Sequence, residues 1–323
     1  MKLHFNENTY SLHEGETVLD CLLRHDLTVP HSCKSGVCES CLMKATSGSI
    51  PQKAQASLKP NIKKQNLFLA CQCIPTTDLA IQNLTDAGLN TKATIVSKSL
   101  FTPEIINLKI KPNTEFQAEP GQYLTLMTDA SLARSYSIAN NPMLDGYIDL
   151  HIRLLNKGHM SHWLQNEAHI GTEVNLFGPT GSCFYNLENQ PEASIILAGT
   201  GTGLAPLYGI IKEALRKGHK GTIQLFHGAR SAEGLYLVKE LEALSQDHQN
   251  FIYTPCVLNG PPDKSYQSGD LQAILLESLP QNKSSIHLYL CGAPDMVNPL
   301  KTKAFMAGIP SKQIFADPFL QAK

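Results

Sequence analysis

The sequence predicts a multidomain chain of α+β and α/β class, and three changes of pattern along its 323 residues support this prediction. A cysteine-rich loop follows a hairpin and a short helix near the N-terminus. Short β runs separated by proline and glycine occupy the middle of the chain, which favours a small antiparallel β-barrel. Strands and helices then alternate to the end, which indicates a doubly wound parallel α/β sheet. A chain of this length can bury a separate core in each of three such modules.

Charge and hydropathy exclude several classes of partner. The net charge is −1 and the sequence pI is about 6.9, so bulk electrostatics do not predict binding to nucleic acid or to an anionic membrane. Residues Met1 to Tyr10 are polar, which argues against a signal peptide, and glycines and threonines interrupt the longest apolar run. We therefore expect a soluble cytoplasmic protein with no nucleic-acid or membrane partner.

The first module, residues 1–88, begins with a predicted hairpin over residues 2–6 and 9–12. A short helix from Thr17 to about His25 is expected next, because its apolar residues fall on one face. These residues are Val18, Leu19, Leu22 and Leu23. A strand over Leu67 to Cys71 follows the loop after this helix. The order of hairpin, helix and cysteine-rich loop suits a β-grasp fold.

Four cysteines in this module have a diagnostic spacing. Cys33, Cys38, Cys41 and Cys71 form the pattern C-x4-C-x2-C-x29-C, which is typical of plant-type [2Fe-2S] ligands. Two tetrahedral irons need four thiolates on one small cluster, so a short loop must curl around it with its backbone N–H groups toward the sulfides. Gly36 allows the backbone to come that close.

These cysteines have two other possible uses. Cys38-x2-Cys41 with Cys71-x-Cys73 could form a zinc site, and nine cysteines could form disulfides in an oxidising compartment. The four-residue gap has no use in a zinc knuckle, and no export signal is present. The cluster is therefore favoured, with Cys73 open as a rival to Cys71 for the last ligand. Cys21 lies beside the apolar face of the first helix, where a buried structural thiol is expected.

The second module, residues 92–186, follows a linker around Leu89 to Thr91. Six short β runs at close intervals favour an antiparallel barrel. They cover residues 93–96, 105–110, 123–127, 136–139, 148–154 and 173–176.

Two motifs on this barrel carry ligand chemistry. In Arg134-Ser135-Tyr136-Ser137, the arginine offers a planar cation for a phosphate, the tyrosine an aromatic face for a ring, and the last serine a hydroxyl for the polar edge of that ring. The turn Gly158 to Ser161 would present helix N-terminal N–H groups to a pyrophosphate. Each motif alone is weak, since such a strand end is more often ordinary exposed structure.

The third module, residues 190–323, alternates strands with helices. The predicted strands cover 195–198, 222–227, 251–258, 286–290 and 313–315. Their order implies a parallel doubly wound sheet.

The turn after the first of these strands is Gly199-Thr200-Gly201-Thr202-Gly203, which departs from the Rossmann G-x-G-x-x-G. No acid follows the second strand; Arg230 stands there instead. The turn could be a phosphate site or merely a tight connection. Together with Cys291 and Gly292 it would lie at the crevice where doubly wound sheets bind ligands. Cys291 could also be a buried core thiol, and Met296 is expected in a helix core.

The combination of these motifs resembles the ferredoxin-NADP reductase superfamily, in the subclass with an N-terminal plant-type [2Fe-2S] ferredoxin domain. The segment Leu69 to Gln72 resembles the family's last-ligand segment, and Gly178-Pro179-Thr180-Gly181 follows the barrel motifs in the family's order. The resemblance implies a β-grasp ferredoxin domain, an antiparallel FAD barrel and a pyridine-nucleotide domain. It implies FAD and NADH, with NADPH possible, as cofactors beside the [2Fe-2S] cluster.

The same resemblance implies roles for individual residues. Those implied to bind FAD are Arg134, Ser135, Tyr136, Ser137, His151, Ile152, Arg153, Gly158, Met160, Ser161 and Phe319. Those implied to bind the nicotinamide nucleotide are Gly199, Thr200, Gly201, Thr202, Gly203, Arg230, Gly292, Pro294, Asp295 and Met296. Catalytic roles beside the flavin fall to Cys291 and Asp317, although the family often has Glu at the position of Asp317.

The three modules together predict an electron-transfer function. A nicotinamide gives up two electrons as hydride, whereas a [2Fe-2S] cluster takes one at a time, and a flavin can divide the pair. We therefore expect an NAD(P)H-dependent reductase that passes electrons through FAD and the cluster to a protein acceptor, with an oxygenase component favoured. The alternatives are a reductase for a deoxysugar dehydrase and a non-catalytic iron-sulfur binding or sensing protein. Arg230 is compatible with either nucleotide, and NADH is favoured.

Overall fold

The chain forms three sheets, one for each module that the sequence predicts. The computed structural model describes all residues except 28, 32, 38, 59, 85–89, 129–131, 262 and 321–323. The predicted ligand Cys38, the predicted module end at Gly88 and the first residue of the predicted linker, Leu89, therefore lie outside the described residues. Within the described part, no helix combines the length and apolar character needed to cross a bilayer.

The N-terminal sheet has five strands in the order β2-β1-β5-β3-β4. Its elements are β1 (Lys2–Phe5), β2 (Asn8–Ser11), α1 (Val18–Arg24), β3 (Leu42–Ser47), α2 (Pro60–Lys63), β4 (Leu67–Leu69) and β5 (Leu79–Gln82). Strands β1 and β5 are parallel, and the other pairs are antiparallel. The hydroxyl of Thr17 accepts a hydrogen bond from the Asp20 N–H, which caps α1 and fixes its start. The predicted hairpin and helix are confirmed; β3 and β5 were not predicted.

One predicted strand of this module is confirmed only in its first three residues. The strand expected over residues 67–71 ends at Leu69, and a 3₁₀ turn over Ala70–Gln72 follows. The Ala70 N–H donates to the Cys41 carbonyl at 3.0 Å, next to the last pair of β3 and β4, and this bond holds the start of the turn beside the cysteine loop. Cys71 therefore lies on a turn beside Cys41 and not within a strand.

The middle sheet has six antiparallel strands in the order β10-β7-β6-β11-β8-β9. Its elements are β6 (Thr91–Thr102), β7 (Ile105–Pro112), β8 (Tyr123–Met127), β9 (Ala133–Ser137), α3 (Pro142–Asp145), β10 (Ile148–Arg153), α4 (His159–Asn166) and β11 (Glu173–Thr180). An isolated bridge between Ile138 and Leu150 joins the two outer strands, so the sheet closes into the predicted barrel.

The position of one barrel strand differs from the prediction. The strand expected over residues 136–139 is found at Ala133–Ser137, because this segment pairs in continuous register with Tyr123–Met127. The Arg134 to Ser137 motif therefore lies within β9 and does not open a strand. Ser135 and Ser137 consequently share one face of β9, since side chains alternate along a strand.

The C-terminal sheet has six parallel strands in the order β15-β14-β13-β12-β16-β17. Its elements are β12 (Ser194–Thr200), α5 (Leu204–Arg216), β13 (Ile223–Ala229), α6 (Val238–Asp247), β14 (Phe251–Val257), β15 (Gln267–Ser268), α7 (Leu271–Ser278), β16 (Ile286–Gly292), α8 (Pro294–Met306) and β17 (Ile314–Pro318). The chain order reverses between β12 and β16, so their carboxyl ends form the switch-point crevice of a doubly wound sheet. The prediction of this fold is confirmed, and β15 is an additional short strand.

Candidate functional site

Three of the four predicted cluster ligands lie in the described part of the chain and are buried. The thiols of Cys41 and Cys71 are hydrogen-bonded, and this contact, followed by the Gln72 amide and the Gly36 N–H, lowers the pKa of Cys71 to about 6. The Ser35 N–H donates to Cys33 Sγ at 3.3 Å. Backbone donors aimed at sulfur favour thiolates, which are the ligands that iron requires.

The loop geometry fits a cluster in a second way. Gly36 has φ +80°, and a Cβ there would lie 2.9 Å from Gln72 Cγ, so this position tolerates no side chain without movement of its neighbour. Among the described residues, no three His, Cys, Asp or Glu side chains form a metal site by themselves. The predicted ligand set also includes Cys38, which lies outside those residues.

The surroundings of Cys73 argue against a ligand role. Its side chain is fully buried in the core of the N-terminal module, and burial raises the pKa of its thiol to about 12. Its carbonyl accepts a hydrogen bond from the Val18 N–H at 2.8 Å, which ties this residue to α1. Cys21 lies in the same core, and burial raises the pKa of that thiol too.

The cysteine loop packs directly on the barrel strands that carry the Arg134 to Ser137 motif. The Tyr123 hydroxyl donates to the Val37 carbonyl at 3.4 Å, and the hydroxyls of Ser40 and Ser135 are 3.3 Å apart. Arg134 Nη1 donates to the His31 carbonyl at 2.9 Å. The sequence predicted only that a short linker joins the two modules; the structure brings the loop beside Cys41 into contact with β9.

The same strand contacts the C-terminal module two residues further on. The Ser137 hydroxyl donates to Asp317 Oδ2 at 3.4 Å. Burial raises the pKa of the Asp317 carboxyl to about 6. Asp317 pairs in register with Cys291 across β17 and β16, and the Cys291 side chain is fully buried. The predicted catalytic residues Cys291 and Asp317 therefore meet the barrel motif at Ser137.

Cys183 is a residue whose place in this site the sequence did not indicate. Its Sγ lies 3.5 Å from Cys291 Sγ, and both thiols are buried. Burial is the main cause that raises the pKa of Cys291 far above its usual value, and the contact with Cys183 adds to it. The two cysteines are 108 positions apart, so no local pattern could have paired them.

The glycine-rich turn lies at the predicted crevice. A Cβ on Gly203 would lie 2.2 Å from the Cys291 carbonyl oxygen, so only glycine allows this turn to touch the end of β16. Helix α5 begins directly after it at Leu204 and is 13 residues long. Its N-terminus can face a phosphate at the switch point. Gly292, at φ +126°, lies beside Thr200, where a Cβ would be 2.8 Å from the Thr200 carbonyl oxygen.

The other predicted nucleotide residues surround this crevice. Pro294 and Asp295 lie in the first turn of α8, and Met296 is buried in its core, as expected. Arg230 is exposed at the end of β13. The Phe319 N–H donates to the Gly292 carbonyl at 2.7 Å, which holds the closing segment against the end of β16.

The predicted turn at α4 is built as expected, but its side chains point inward. Gly158 is the N-cap of α4, and Met160 is buried in the barrel core. The Ser161 hydroxyl accepts a hydrogen bond from the Leu155 N–H at 2.9 Å. This turn can therefore offer its backbone N–H groups to an anion, while Ser161 stabilises the loop before it.

The side chains of the predicted flavin-contacting strand have other partners. Ile152 is buried in the barrel core, and Arg153 is exposed with Glu104 at 3.4 Å. His151 Nδ1 lies 3.0 Å from the hydroxyl of Tyr236 in the C-terminal module. The side chains of His151 and Ile152 are therefore packed within the protein, whereas that of Arg153 stays exposed.

Comparison with known proteins agrees with this architecture. Family models match residues 3–76 as a 2Fe-2S iron-sulfur cluster binding domain, residues 90–185 as an oxidoreductase FAD-binding domain and residues 197–302 as an oxidoreductase NAD-binding domain. The fold and the site thus define an iron-sulfur flavoprotein oxidoreductase with three cofactor-binding domains. The boundaries 1–88, 92–186 and 190–323 stay predictions.

Relatives that match nearly the whole chain identify the family to which it belongs. It is 31% identical to the ferredoxin–NAD(P)(+) reductase component of naphthalene 1,2-dioxygenase/salicylate 5-hydroxylase systems from Ralstonia sp., over 99% of this chain and 96% of that protein. It is 26% identical to the CDP-6-deoxy-L-threo-D-glycero-4-hexulose-3-dehydrase reductase of Yersinia pseudotuberculosis, over 100% and 99%. The chain belongs to the NAD(P)H-dependent iron-sulfur flavoprotein reductases of the ferredoxin-NADP reductase superfamily.

Solved structures support the same fold. The cytochrome P450 reductase GcoB of Amycolatopsis superposes with a TM-score of 0.71 at 27% identity, over 100% of this chain and 99% of that one. The ferredoxin reductase of carbazole 1,9a-dioxygenase superposes with a TM-score of 0.67 at 23% identity, over 99% and 98%. The predicted class of NAD(P)H-dependent oxidoreductase is confirmed, and the alternative of a non-catalytic iron-sulfur sensor is set aside.

Proposed function

We propose that this protein is the reductase component of a multicomponent oxygenase and carries electrons from NADH to a protein acceptor. The observation that carries this proposal is the double contact of β9. Ser135 touches Ser40 beside the cluster ligand Cys41, and Ser137 touches Asp317 beside Cys291. One strand of five residues thus connects the nicotinamide crevice with the cluster loop. This arrangement suits a reductase in which electrons enter at the nicotinamide crevice and leave through the cluster loop.

The residues divide into three sets in this proposal. Cys33, Cys38, Cys41 and Cys71 hold the cluster. The flavin is held by Arg134, Ser135, Tyr136, Ser137, Met160, Phe319 and the backbone of residues 151–153 and 158–161. FAD, when bound, accepts two electrons from the nicotinamide and releases them singly. The nucleotide phosphates lie at Gly199 to Gly203.

Cys291, Asp317 and Ser137 form the hydride-transfer end of the site. The thiol of Cys291 stays protonated, because burial raises its pKa, so it places no negative charge beside the nicotinamide. Asp317 accepts the Ser137 hydroxyl proton in a hydrogen bond, which orients that hydroxyl at the end of β9. These contacts exclude water and hold the two domains together where the hydride must cross.

NADH is the proposed donor. Arg230 is exposed at the end of β13, where it can stack on an adenine without a 2′-phosphate partner. The test is kcat/KM for both nucleotides with ferricyanide as acceptor, and we expect NADH to be favoured at least tenfold. A preference for NADPH would assign Arg230 to a 2′-phosphate. Failure of both nucleotides to reduce the protein would reject the proposed function.

The acceptor is proposed from the relatives. An oxygenase component is favoured because the Ralstonia relative is named as part of dioxygenase and hydroxylase systems. A dehydrase is the second candidate, because the Yersinia reductase matches over nearly its whole length. Affinity capture with the purified protein, followed by NADH-driven turnover of the captured component, decides between them. A cytoplasmic location is proposed with it, since NADH is supplied there; cell fractionation checks this.

A further inference from the structure

Five aromatic rings, three of them buried and two partly buried, form a contact between the barrel and the C-terminal domain. We call this the interdomain aromatic cluster; its members are Phe101, His151, Tyr208, His227 and Tyr236. His151 is 4.9 Å from Phe101 and 5.4 Å from Tyr236 between ring centroids, and both contacts are edge-to-face. Phe101 stacks on Tyr236 at 5.1 Å, and His227 meets Tyr236 edge-on at 5.7 Å. Such geometries are favourable for aromatic pairs.

One directional hydrogen bond crosses this cluster. His151 Nδ1 and the Tyr236 hydroxyl are 3.0 Å apart, and Tyr236 is only 3% exposed. On the other side of the imidazole, Nε2 lies 3.8 Å from Asp149 Oδ1, which favours the proton on Nε2. In that tautomer, Nδ1 accepts a hydrogen bond from the Tyr236 hydroxyl. Burial lowers the pKa of His151 to about 3, so this bond joins two neutral groups at physiological pH.

The cluster touches both sides of the loop that contains Arg230. His227 lies on β13 just before Gly228 and Ala229, and Tyr236 lies just after the 3₁₀ turn Ala232–Gly234. The residue that follows, Leu237, has φ +55°, a conformation that a bulky side chain adopts only when its surroundings impose it. The loop proposed to hold the adenosine part of the nucleotide is therefore held against the barrel at its far end through Tyr236, and its near end packs on Tyr236 through His227.

We propose that the hydrogen bond between Tyr236 and His151 positions the nucleotide-binding loop relative to the flavin barrel. Tyr236 and His151 are then positioning residues for hydride transfer, an inference that rests on the proposed function. The nucleotide is bound on one domain and reacts with a ring held by the other. Hydride transfer needs the reacting atoms in near-attack geometry, and a misplacement of about 1 Å is enough to cost on the order of 10²-fold in rate.

The test compares Tyr236→Phe with the matched control Tyr253→Phe. Tyr253 makes the same kind of bond, to His227 Nδ1 at 3.1 Å, but within the C-terminal domain. Three quantities are measured: the anaerobic rate of flavin reduction at saturating NADH, the long-wavelength charge-transfer absorbance of the nicotinamide–flavin pair, and the Kd for NAD⁺ by calorimetry.

We expect Tyr236→Phe to slow flavin reduction about tenfold, as loss of one buried hydrogen bond allows. The charge-transfer absorbance should weaken, while FAD content and the Kd for NAD⁺ stay within about twofold, because Arg230 and the phosphate turn are unchanged. Tyr253→Phe should leave all three quantities within about twofold. Flavin reduction in Tyr236→Phe within twofold of wild type, or equal slowing in both variants, overturns the proposal.

A second pair of variants distinguishes loss of the hydrogen bond from misfolding. His151→Gln keeps an acceptor for the Tyr236 hydroxyl, whereas His151→Leu keeps the volume and removes the acceptor. We expect flavin reduction at least threefold faster in His151→Gln than in His151→Leu, at equal FAD content. Equal rates in the two would also overturn the proposal. If the wild-type protein is not reduced by NADH at all, it is the proposed function that fails.

Discussion

Cys71 and Cys73 are two positions apart and have opposite environments. Cys71 lies on the 3₁₀ turn beside the cysteine loop, where hydrogen bonds lower the pKa of its thiol to about 6. Cys73 lies in the core behind that turn, where burial raises the pKa to about 12. The turn makes this difference, because a continued strand would have placed both side chains on one face.

We therefore expect Cys71→Ala to lose iron and the cluster's part of the visible absorbance, while the flavin bands remain, because one of four cluster ligands is removed. Cys73→Ala should retain about two irons per chain and lose only about 1 kcal/mol of unfolding free energy, as a small cavity would cost. Iron analysis and the absorbance spectrum of both variants decide the assignment. Loss of iron in Cys73→Ala with retention in Cys71→Ala would reverse it.

Helix α5 is the element that joins the two larger domains. A Cβ on Gly209 would lie 2.9 Å from Pro120 Cβ and 3.0 Å from the carbonyl of Ala139 in the barrel, so the helix rests directly on the barrel backbone. The Asn141 side-chain amide also donates to Glu213 on this helix at 3.3 Å. Helix α5 starts directly after the glycine-rich turn Gly199 to Gly203. Its contact with the barrel therefore also fixes the position of that turn.

Gly209→Ala tests this packing contact between α5 and the barrel. Helix propensity alone predicts a gain of about 1 kcal/mol on replacing a helical glycine by alanine. We expect a loss of about 1–3 kcal/mol instead, because the new methyl group is overpacked against backbone that cannot move away. Chemical denaturation followed by flavin fluorescence measures the change. A more stable variant would show that α5 can shift from the barrel without cost.

The whole molecule is arranged as a series, with the barrel in contact with both other domains. The cysteine loop contacts the barrel at Tyr123, Arg134 and Ser135, and the C-terminal domain contacts it at Ser137, Asn141 and His151. Strand β9 takes part in both sets of contacts, through Ser135 and Ser137. This arrangement predicts that hydride transfer from the nicotinamide can proceed without electron transfer to the protein acceptor.

Cys41→Ser should remove the cluster and leave the hydride step intact. We expect such a variant to keep FAD and to reduce ferricyanide with NADH within about twofold of wild type, while transfer to cytochrome c or to the protein acceptor falls at least tenfold. Cys256→Ala, a buried thiol of the C-terminal domain, is the control and should retain both activities. An unchanged rate to the protein acceptor in the cluster-free protein would make the cluster structural and the serial route wrong.

The sequence by itself determined the three domains and most of their motifs. The cysteine spacing, the Arg134 to Ser137 motif and the glycine-rich turn are readable because each chemistry depends on residues close together in the chain. The alternation of strands and helices was equally local, and it predicted the barrel and the parallel sheet. The strand prediction was wrong at Cys71, where the chain leaves the sheet in a 3₁₀ turn whose first residue, Ala70, is bonded to the Cys41 carbonyl of a distant segment.

Only the tertiary structure decided how the sites face one another. Ser40 and Ser135 are 95 positions apart, His151 and Tyr236 are 85 apart, and Cys183 and Cys291 are 108 apart. No periodicity links such pairs, because their contact depends on how whole domains pack and not on the local conformation of either segment. Local motifs therefore predict which cofactors the protein binds. The relative positions of the cofactor sites depend on how the domains pack.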